Sequence, residues 1–478
     1  MKILKLNKQQ HDEPKFDELN KMLSDLNEFL NEDAKLNDKH WNENLNTILD
    51  FQDSDGSFKL FDSYKIPSDA RVDFCYMPTY LCTAILMKSF MTNDSLFTLK
   101  EKSALKKGLK KSCARNLKGH GYEGLKGQIE ALNILMKSGL NEFLDFHHDL
   151  CPEFSEMIKN IISKFNEMES QCKFLGPWGE SYETEIKAIN EYFSHRKVFV
   201  YGTLMNGETN HHYLQNSTPL GKATMKDYEM YDVGWYPAIT PGNNLIIGEL
   251  YQVPIDDMLT IDMLEGEGSL YIKKCETITD AKGKTTFALV YIYNRDTSNL
   301  KKIPAWKEYV WYVSYGSNML KKRFLCYIQG GSYKGSGYRK ACKDTTPPLA
   351  VKTIEIPYGM YFGNESPTWY DCGVSFLDTT EKGYALGVAY LITKEQFEHV
   401  AKQENNGRYP GGGEWYEDII DLGTMEGIKI KTITNNNLRT YKEPCLEYYE
   451  TLRKGIKENW PNMADKDIED YLNNCIRG

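Results

Sequence analysis

The chain has 478 residues, of which 41% are hydrophobic and 26% are charged, and its formal net charge is -9. This length predicts about three domains, and the composition is typical of a globular protein rather than a disordered one. The acidic balance disfavours nucleic acid as a partner, because binding to a phosphate backbone requires a basic surface. No apolar run reaches the ~18 residues of a membrane-spanning helix, so we expect no membrane partner.

The eleven cysteines are scattered, without a C-x-x-C pair or a histidine at zinc-site spacing. We therefore predict no metal site and no cofactor. The odd number of thiols, together with an N-terminus that turns polar after Leu6, favours free cysteines in a cytoplasmic protein. The sequence does not indicate the oligomeric state.

Residues 1–195 predict an all-α domain, because apolar residues recur there at helical spacing. The segments with this spacing are residues 16–30, 122–140, 152–165 and 183–193. Gly139 lies where a glycine that ends a helix is expected. The lysine-rich stretch 99–118 is interpreted as the solvated face of a helix, and a docking surface for an acidic partner is the alternative.

The pattern changes at Arg196, where short apolar runs of strand character replace the helical spacing. Turn-forming Pro, Gly, Asn and Asp separate these runs. One block of them extends over residues 196–304 and a second over residues 305–478, whose end, from Cys445 onward, returns to helical periodicity. We therefore predict a multidomain chain with an all-α domain followed by two α+β domains, divided at Pro304.

The two α+β blocks repeat one pattern of residues. Each opens with an apolar strand that ends in Tyr-Gly, continues with a Gly-x-x-Tyr strand, and has a glutamate 17 residues after that second glycine. These positions are Tyr201, Gly202, Gly248 and Glu265 in the first block, and Tyr315, Gly316, Gly387 and Glu404 in the second. A shared offset in two otherwise different segments indicates one repeated structural unit.

The repeated residues suit acyl transfer. A strand that ends in Tyr-Gly exposes successive N–H groups, because glycine turns without a Cβ clash, and such groups bind a carboxylate or an oxyanion. Glu265 ends an apolar helical segment, so we expect burial to raise the pKa of its carboxyl and to suit it to acid/base catalysis. Taken singly, Glu265 as an exposed helix end and Gly202 as an ordinary turn are the alternatives, which the repeat weakens.

Three stretches of the first block carry a family resemblance: VFVYGTLMNGETNHHYL at 198–214, IIGELYQV at 246–253, and LEG around Glu265 followed by Tyr271. In these the block resembles the gamma-glutamylamine cyclotransferase branch of the gamma-glutamylcyclotransferase superfamily. The second block has YGSNM at 315–319, Arg323, a Gly-Gly pair and QEN in place of LEG. It is similar to bacterial gamma-glutamylcyclotransferase-like proteins. Together the two resemblances cover residues 196–478.

The resemblance implies that each block is a small β-barrel flanked by helices. It also implies release of 5-oxoproline from a gamma-glutamyl amine or peptide, as the substrate's α-amine attacks its own γ-carbonyl. Glu265 is the implied acid/base, and Glu404 its counterpart in the second block. The implied substrate-binding residues are Tyr201, Gly202, Thr203, Leu204, Tyr271 and Tyr293 in the first block, and Tyr315, Gly316, Ser317 and Asn318 in the second. Core packing is the alternative for Tyr271 and Tyr293, and we interpret His211 as orienting a loop.

The second block departs from the family pattern directly after its glutamate. Asn405 replaces the usual glycine, and we expect it to restrict the backbone where the helix ends and to narrow the pocket. The second site is therefore catalytic, ligand-binding or structural. For the whole chain, the alternative to an enzyme is a non-catalytic protein that binds gamma-glutamyl or carboxylate ligands in both barrels.

The segments FQDSDGSF at 51–58 and LGPWGESY at 175–182 resemble the Gln, Gly and aromatic punctuation of α/α-toroid proteins such as terpene cyclases and prenyltransferases. No D-x-D-D motif and no Cys/His/Asp zinc set accompanies them. Four polar residues beside aromatics either line a pocket or end helices: Asp69, Arg71, Asp73 and His120. The sequence assigns no role to this domain.

Overall fold

The structure, a computed structural model, describes residues 16–31, 45–59, 76–333, 337–411 and 415–477. Within these ranges a helical domain is followed by two sheet-containing units, as the sequence predicts. The last helix of the first part ends at Ser194, and the first strand begins at His195. Asp69, Arg71 and Asp73 lie outside the described residues.

The helical domain surrounds one apolar core. Its helices are α1 (Phe16–Asn31), α2 (Tyr76–Thr92), α3 (Leu99–Cys113), α4 (Leu125–Met136), α5 (Leu140–His147), α6 (Pro152–Ser170) and α7 (Glu183–Ser194). Sequence periodicity did not predict α2, because this helix is buried on nearly all sides and so lacks an amphipathic pattern. Gly139 has a φ of 83° and lies between α4 and α5, beginning the second of these helices rather than directly ending the first.

The lysine-rich stretch forms α3, and the interpretation of a solvated face is confirmed. Leu105 and Leu109 of this helix are buried, whereas its lysines face outward. Two of these lysines form surface ion pairs, Lys110 with Glu153 at 3.0 Å and Lys111 with Asp55 at 2.6 Å.

The first unit is a closed five-stranded barrel with two additional strands. Its strands are β1 (His195–Val200), β2 (Thr218–Asp232), β3 (Pro237–Pro241), β4 (Asn244–Pro254), β5 (Tyr271–Asp280), β6 (Thr285–Tyr293) and β7 (Lys301–Ile303), with helix α8 (Ile255–Glu265) after β4. The ring runs β2-β4-β1-β6-β5 and closes by pairing of β5 with β2. β3 and β7 both pair with the end of β2, and only β1 and β6 are parallel among these pairs.

The second unit contains the same five strands in the same order, and a separate hairpin. Its elements are β8 (Tyr309–Ser314), α9 (Lys321–Gln329), β9 (Val351–Ile356), β10 (Gly359–Ser366), β11 (Cys372–Asp378), β12 (Ala385–Thr393), α10 (Lys394–Glu404), β13 (Asp418–Met425), β14 (Ile428–Thr434), α11 (Leu446–Asn459) and α12 (Asp465–Arg477). The sheet runs β9-β12-β8-β14-β13, again with one parallel pair, β8 with β14. Within the described part of the chain no ladder joins β9 to β13. The β10–β11 hairpin instead packs on the same core, and the Leu377 N–H of β11 donates to Thr434 Oγ1 of β14 at 2.9 Å.

The two units agree in strand register. Val200 pairs with Glu249, one residue after Gly248, and Ser314 pairs with Val388, one residue after Gly387. The tyrosine that follows each of these strands makes the same bond. The Tyr201 hydroxyl donates to the Tyr291 carbonyl at 2.6 Å, and the Tyr315 hydroxyl donates to the Ile433 carbonyl at 2.7 Å. The structure therefore contains a repeated unit at the positions where the sequence pattern repeats.

Contacts join the three parts. Arg196 forms an ion pair with Asp145 of α5 at 2.6 Å, which connects β1 to the helical domain. Leu245 and Ile247 of β4 pack into the core of the second unit. Lys222 of β2 forms an ion pair with Asp344 of the second unit. The first barrel is thus held on both sides.

Gly248 is required by the close approach of β1 to β4, and its replacement tests the barrel core. A Cβ at this position would lie 2.3 Å from the Val200 carbonyl oxygen and 2.6 Å from Phe199 Cζ. We expect Gly248→Ala to lower the free energy of unfolding by about 1–3 kcal/mol, because the strands must separate. Urea unfolding measures this, with Gly359→Ala as the control, since a Cβ there meets nothing within 4 Å. Equal unfolding curves for the two variants would show that the close approach is not required.

Candidate active site

The turn after β1 forms one wall of a cavity in the first barrel. Its carbonyl groups are held by the chain itself. The Met205 N–H donates to the Gly202 carbonyl at 3.0 Å, and the Asn210 N–H donates to the Thr203 carbonyl at 2.9 Å. His211 Nδ1 lies 3.0 Å from the Leu204 carbonyl oxygen and donates to it, so His211 orients this turn, as the sequence indicated. The conformation of the turn is therefore fixed without any ligand.

The amide groups of the same turn remain available. Within the described residues, the N–H groups of Gly202, Thr203 and Leu204 donate to no acceptor of the chain. Gly202 and Leu204 are buried. Buried N–H groups without partners are unusual, because losing water without gaining a bond is costly. Three available N–H groups in succession, two of them on buried residues, form a site that suits a carboxylate or an oxyanion.

Glu265 faces the same cavity from the last residue of α8. The helix ends there because Gly266 takes a left-handed conformation, with φ 59°. Burial raises the pKa of the Glu265 carboxyl to about 7, although the residue as a whole is only half-buried. The C-terminal end of a helix also disfavours a negative charge. A carboxyl that titrates near pH 7 serves as both acid and base at neutral pH.

Aromatic side chains form the remaining walls, in a cavity of about 100 Å³. Tyr271 donates its hydroxyl to the Pro237 carbonyl at 2.7 Å, and Tyr291 donates to Asp262 Oδ1 at 2.6 Å. Both hydroxyls are thus engaged by protein acceptors, so their rings present mainly apolar surface. No lysine, arginine or histidine is among the residues that the structure describes as lining this cavity.

Most of the site residues expected in the first block are brought together by the fold. Tyr201, Gly202, Thr203, Leu204, Tyr271 and Glu265 all line the one cavity. Tyr293 differs from the expectation, because it does not line the cavity and instead packs edge-on against the Tyr271 ring, with centroids 5.4 Å apart. Sequence reasoning missed Tyr236, Pro237 and Tyr291. Tyr291 and Tyr293 are two residues apart on β6 and so lie on the same face of the strand, which means that the two-residue period does not reveal which of them reaches the cavity.

The second unit has a matching cavity of about 90 Å³. It is lined by Tyr315, Gly316, Ser317, Asn318 and Glu404, all of which the sequence singled out. The N–H groups of Gly316, Ser317 and Asn318 also find no acceptor among the described residues. Unlike Glu265, Glu404 accepts a hydrogen bond from a side chain, the Asn318 amide.

The expectation that Asn405 restricts the backbone at the end of the helix and narrows the pocket is wrong. Asn405 has a φ of -111°, so it needs no left-handed conformation, and it does not line the cavity. The left-handed position moves one residue on, to Asn406 with φ 53°, and Asn406 does line the cavity. Asparagine tolerates this conformation better than most residues, so the helix ends without the strain that a direct replacement of glycine would create.

The segments 51–58 and 175–182, which resemble parts of α/α-toroid proteins, form tight loops in the helical domain. One isolated β-bridge closes each loop, between Gln52 and Phe58 in the first and between Leu175 and Ser181 in the second. Gln52 Nε2 donates to the Ala104 carbonyl of α3 at 2.8 Å, so the first loop is attached to a helix. His120 is exposed and stacks on Trp178, with ring centroids 5.0 Å apart.

The described ranges also bear on thiols, metal sites and membrane-spanning segments. Their cysteines are free thiols, and no group of His, Cys, Asp or Glu there could hold a metal ion. No helix in these ranges is long and apolar enough to cross a membrane.

Comparison with known proteins places this site in a family. Residues 198–311 match the family described as gamma-glutamyl cyclotransferase, AIG2-like. The chain is 32% identical over 107 residues to the gamma-glutamylcyclotransferase family protein YtfP of Escherichia coli K12, covering 22% of this chain and 90% of YtfP. It is 41% identical over 97 residues to a putative gamma-glutamylcyclotransferase of Vibrio cholerae, covering 20% of this chain and 80% of that protein. The chain belongs to the gamma-glutamylcyclotransferase family.

Two further relatives differ in how much of each chain the match covers. The gamma-L-glutamyl-butirosin B gamma-glutamyl cyclotransferase of Niallia circulans is 33% identical over 118 residues, or 23% of this chain and 76% of that protein. The Arabidopsis thaliana protein named histone deacetylase 5 is 29% identical over 210 residues, and the match covers 35% of this chain but only 31% of the plant protein. The family match ends at residue 311, within β8, so it covers the first barrel and only the start of the second unit.

The raised pKa of Glu265 predicts a specific dependence of stability on pH. The unfolded chain loses the proton at its ordinary pKa near 4.5, whereas the folded chain keeps it up to about pH 7. The folded protein therefore loses stability as pH rises between these values. We expect Glu265→Gln to change stability little at pH 4.5 and to raise the free energy of unfolding by about 1–3 kcal/mol at pH 8.

Unfolding in urea at both pH values measures this, with Glu267→Gln as the control because Glu267 is exposed on the following turn. A gain from Glu265→Gln that is the same at pH 4.5 and pH 8 would contradict burial of the carboxyl as the cause.

Proposed function

We propose that this protein is a gamma-glutamyl cyclotransferase that releases 5-oxoproline and a free amine from a gamma-glutamyl amine or peptide. The observation that carries the proposal is one cavity lined both by three amide groups without acceptors and by a carboxyl whose pKa is raised to about 7. Membership of the gamma-glutamylcyclotransferase family supports it.

The reaction follows from what these groups offer. The α-amine of the substrate attacks its own γ-carbonyl carbon, so a new C–N bond closes a five-membered ring, and the carbonyl oxygen becomes an oxyanion. The N–H groups of Gly202, Thr203 and Leu204 stabilise that oxyanion. Glu265 accepts the proton of the attacking amine and passes it to the leaving nitrogen as the original amide bond breaks. No nucleophilic side chain is required, because the substrate supplies the nucleophile and proximity favours ring closure.

The walls of the first cavity favour a leaving group without charge. Its lining contains no cationic side chain within the described residues, and its aromatic rings present apolar surface. While the amide groups hold the oxyanion, a carboxylate on the leaving group would enter this cavity without a cationic side chain to pair with, which is costly. The Niallia circulans relative is named as a gamma-glutamyl cyclotransferase of gamma-L-glutamyl-butirosin B. We infer that the first site prefers gamma-glutamyl amines.

Replacement of Glu265 tests the catalytic role. Glu265→Gln keeps the shape of the side chain and removes the proton carrier, so we expect turnover to fall by about 10²–10⁴-fold with folding intact. Release of 5-oxoproline from a panel of gamma-glutamyl amines and dipeptides, measured by mass spectrometry, gives the rate. Glu267→Gln is the matched control, since it changes an exposed glutamate two residues away. Near-normal turnover by folded Glu265→Gln protein would rule out this role.

The same panel separates an enzyme from a binding protein. If the wild-type protein binds gamma-glutamyl compounds but forms no 5-oxoproline from any of them, the non-catalytic alternative is correct.

The second cavity is expected to contribute little to turnover of small gamma-glutamyl amines. Glu404→Gln should change that rate by well under tenfold, where tenfold corresponds to roughly 1.4 kcal/mol in the activation free energy. The reason is that Glu265 and the first cavity remain intact in this variant. A tenfold or greater loss from Glu404→Gln, with Glu265→Gln nearly silent, would assign catalysis to the second unit instead.

A further inference from the structure

The second cavity differs from the first in charge, although both have the same turn and the same glutamate. Arg323 of α9 and Arg339 of the following loop line the second cavity, and Glu404 is its only acidic lining residue among those described. The first cavity has one glutamate and no cation in its described lining. The second cavity therefore has two cationic side chains that the first cavity lacks, since arginine remains protonated in proteins.

Arg323 is held next to the amide turn. It is 2% exposed, and its Nε donates to Ser317 Oγ at 2.8 Å. Its guanidinium carbon lies 5.0 Å from the centre of the Trp369 ring. A buried guanidinium fixed by a hydrogen bond and an aromatic ring is already oriented before any ligand binds, and its planar donors match a carboxylate.

Arg339 lies near the same aromatic ring as Arg323. The guanidinium carbons of Arg339 and Arg323 are 4.7 and 5.7 Å from the centre of the Tyr327 ring. Arg339 Nε is buried and has no hydrogen-bond partner among the described residues. Two like charges beside one ring repel each other, so bringing them together is unfavourable unless an anion lies between or beside them.

A second polar atom in this cavity also lacks a partner. Asn318 is 3% exposed, and while its amide nitrogen donates to Glu404, its carbonyl oxygen Oδ1 accepts no hydrogen bond within the described residues. A buried donor on Arg339 and a buried acceptor on Asn318 are therefore both available at one cavity. Buried polar groups left in this state indicate a ligand that completes them.

We propose that Arg323 and Arg339 form a carboxylate-binding subsite, so that the two cavities divide gamma-glutamyl compounds by the charge of the leaving group. The proposal rests on the proposed function for the shared features, the amide turn and the glutamate, which bind and cyclise the gamma-glutamyl end. The first cavity then takes gamma-glutamyl amines, and the second takes gamma-glutamyl amino acids. Arg339 is the specificity-determining residue that is best suited to a test, because it is only half-buried.

The test uses gamma-glutamylglycine and gamma-glutamylmethylamide, which differ by one carboxylate. The full-length chain carries Glu265→Gln, so that only the second site is active. We expect kcat/KM for gamma-glutamylglycine to exceed that for the methylamide by about tenfold or more. Adding Arg339→Gln should abolish this preference through a higher KM for gamma-glutamylglycine, with the methylamide changed less than about threefold. Arg408→Gln, an exposed arginine of the same unit outside the cavity, should change neither.

Thermal unfolding of each variant shows whether it is folded, and Arg339→Lys, which keeps the charge, is expected to retain part of the preference. An equal rate for both compounds before Arg339 is replaced, or a preference that survives Arg339→Gln, overturns the inference.

Binding measured by calorimetry distinguishes failure of the carboxylate-subsite inference from failure of the proposed function. If neither compound yields 5-oxoproline, the proposed reaction at the second site is wrong. Binding to the protein that carries both Glu265→Gln and Glu404→Gln then still tests the subsite. Tighter binding of gamma-glutamylglycine that is lost in Arg339→Gln supports it, and equal binding or no binding of the two compounds overturns it.

Discussion

The candidate active site depends on the close packing of β1 against β4. Gly248 lets the two strands approach, since a Cβ there would meet the Val200 carbonyl oxygen at 2.3 Å. With this register, β1 ends where the chain must turn at Gly202, and β4 continues directly into α8, which ends in Glu265. One strand pair thus delivers both the amide turn and the acid/base to one cavity.

The amide turn and Glu265 are each in an energetically unfavourable state in the free protein, for different reasons. The turn has donors without acceptors, and Glu265 has a carboxyl whose charged form is disfavoured by burial. Each of these states costs stability in the folded protein. A substrate with a developing oxyanion and a proton to transfer relieves both, which is the usual relation between a strained site and its function. The rigid support of the turn by Asn210 and His211 keeps the donors in place before a substrate arrives.

The second unit keeps this arrangement and changes its surroundings. The register, the tyrosine–carbonyl bond and the three available amides recur, whereas α9 and the loop after it bring two arginines to the cavity. Glu404 also differs from Glu265, because the Asn318 amide donates to it. A duplicated frame with altered walls is consistent with two sites that hold the same chemical group on different compounds.

The sequence by itself determined the repeated features that are local or periodic. The Tyr-Gly turns, the glycine-to-glutamate spacing, and the strands from Asn244 and Ile428 could all be predicted, because backbone sterics and the two-residue period of a strand are properties of a short segment. Sequence reasoning missed α2, which is buried on nearly all sides. It also missed β2, in which the left-handed conformation of Asp227, with φ 65°, interrupts the extended strand.

Only the tertiary structure decided which aromatic residues reach the cavity and which support it, as Tyr291 and Tyr293 show. It also decided that Arg339 joins Arg323 beside Tyr327, from a loop that no periodicity describes. These are contacts between segments distant in the chain, and their geometry depends on the packing of the whole barrel rather than on local preference.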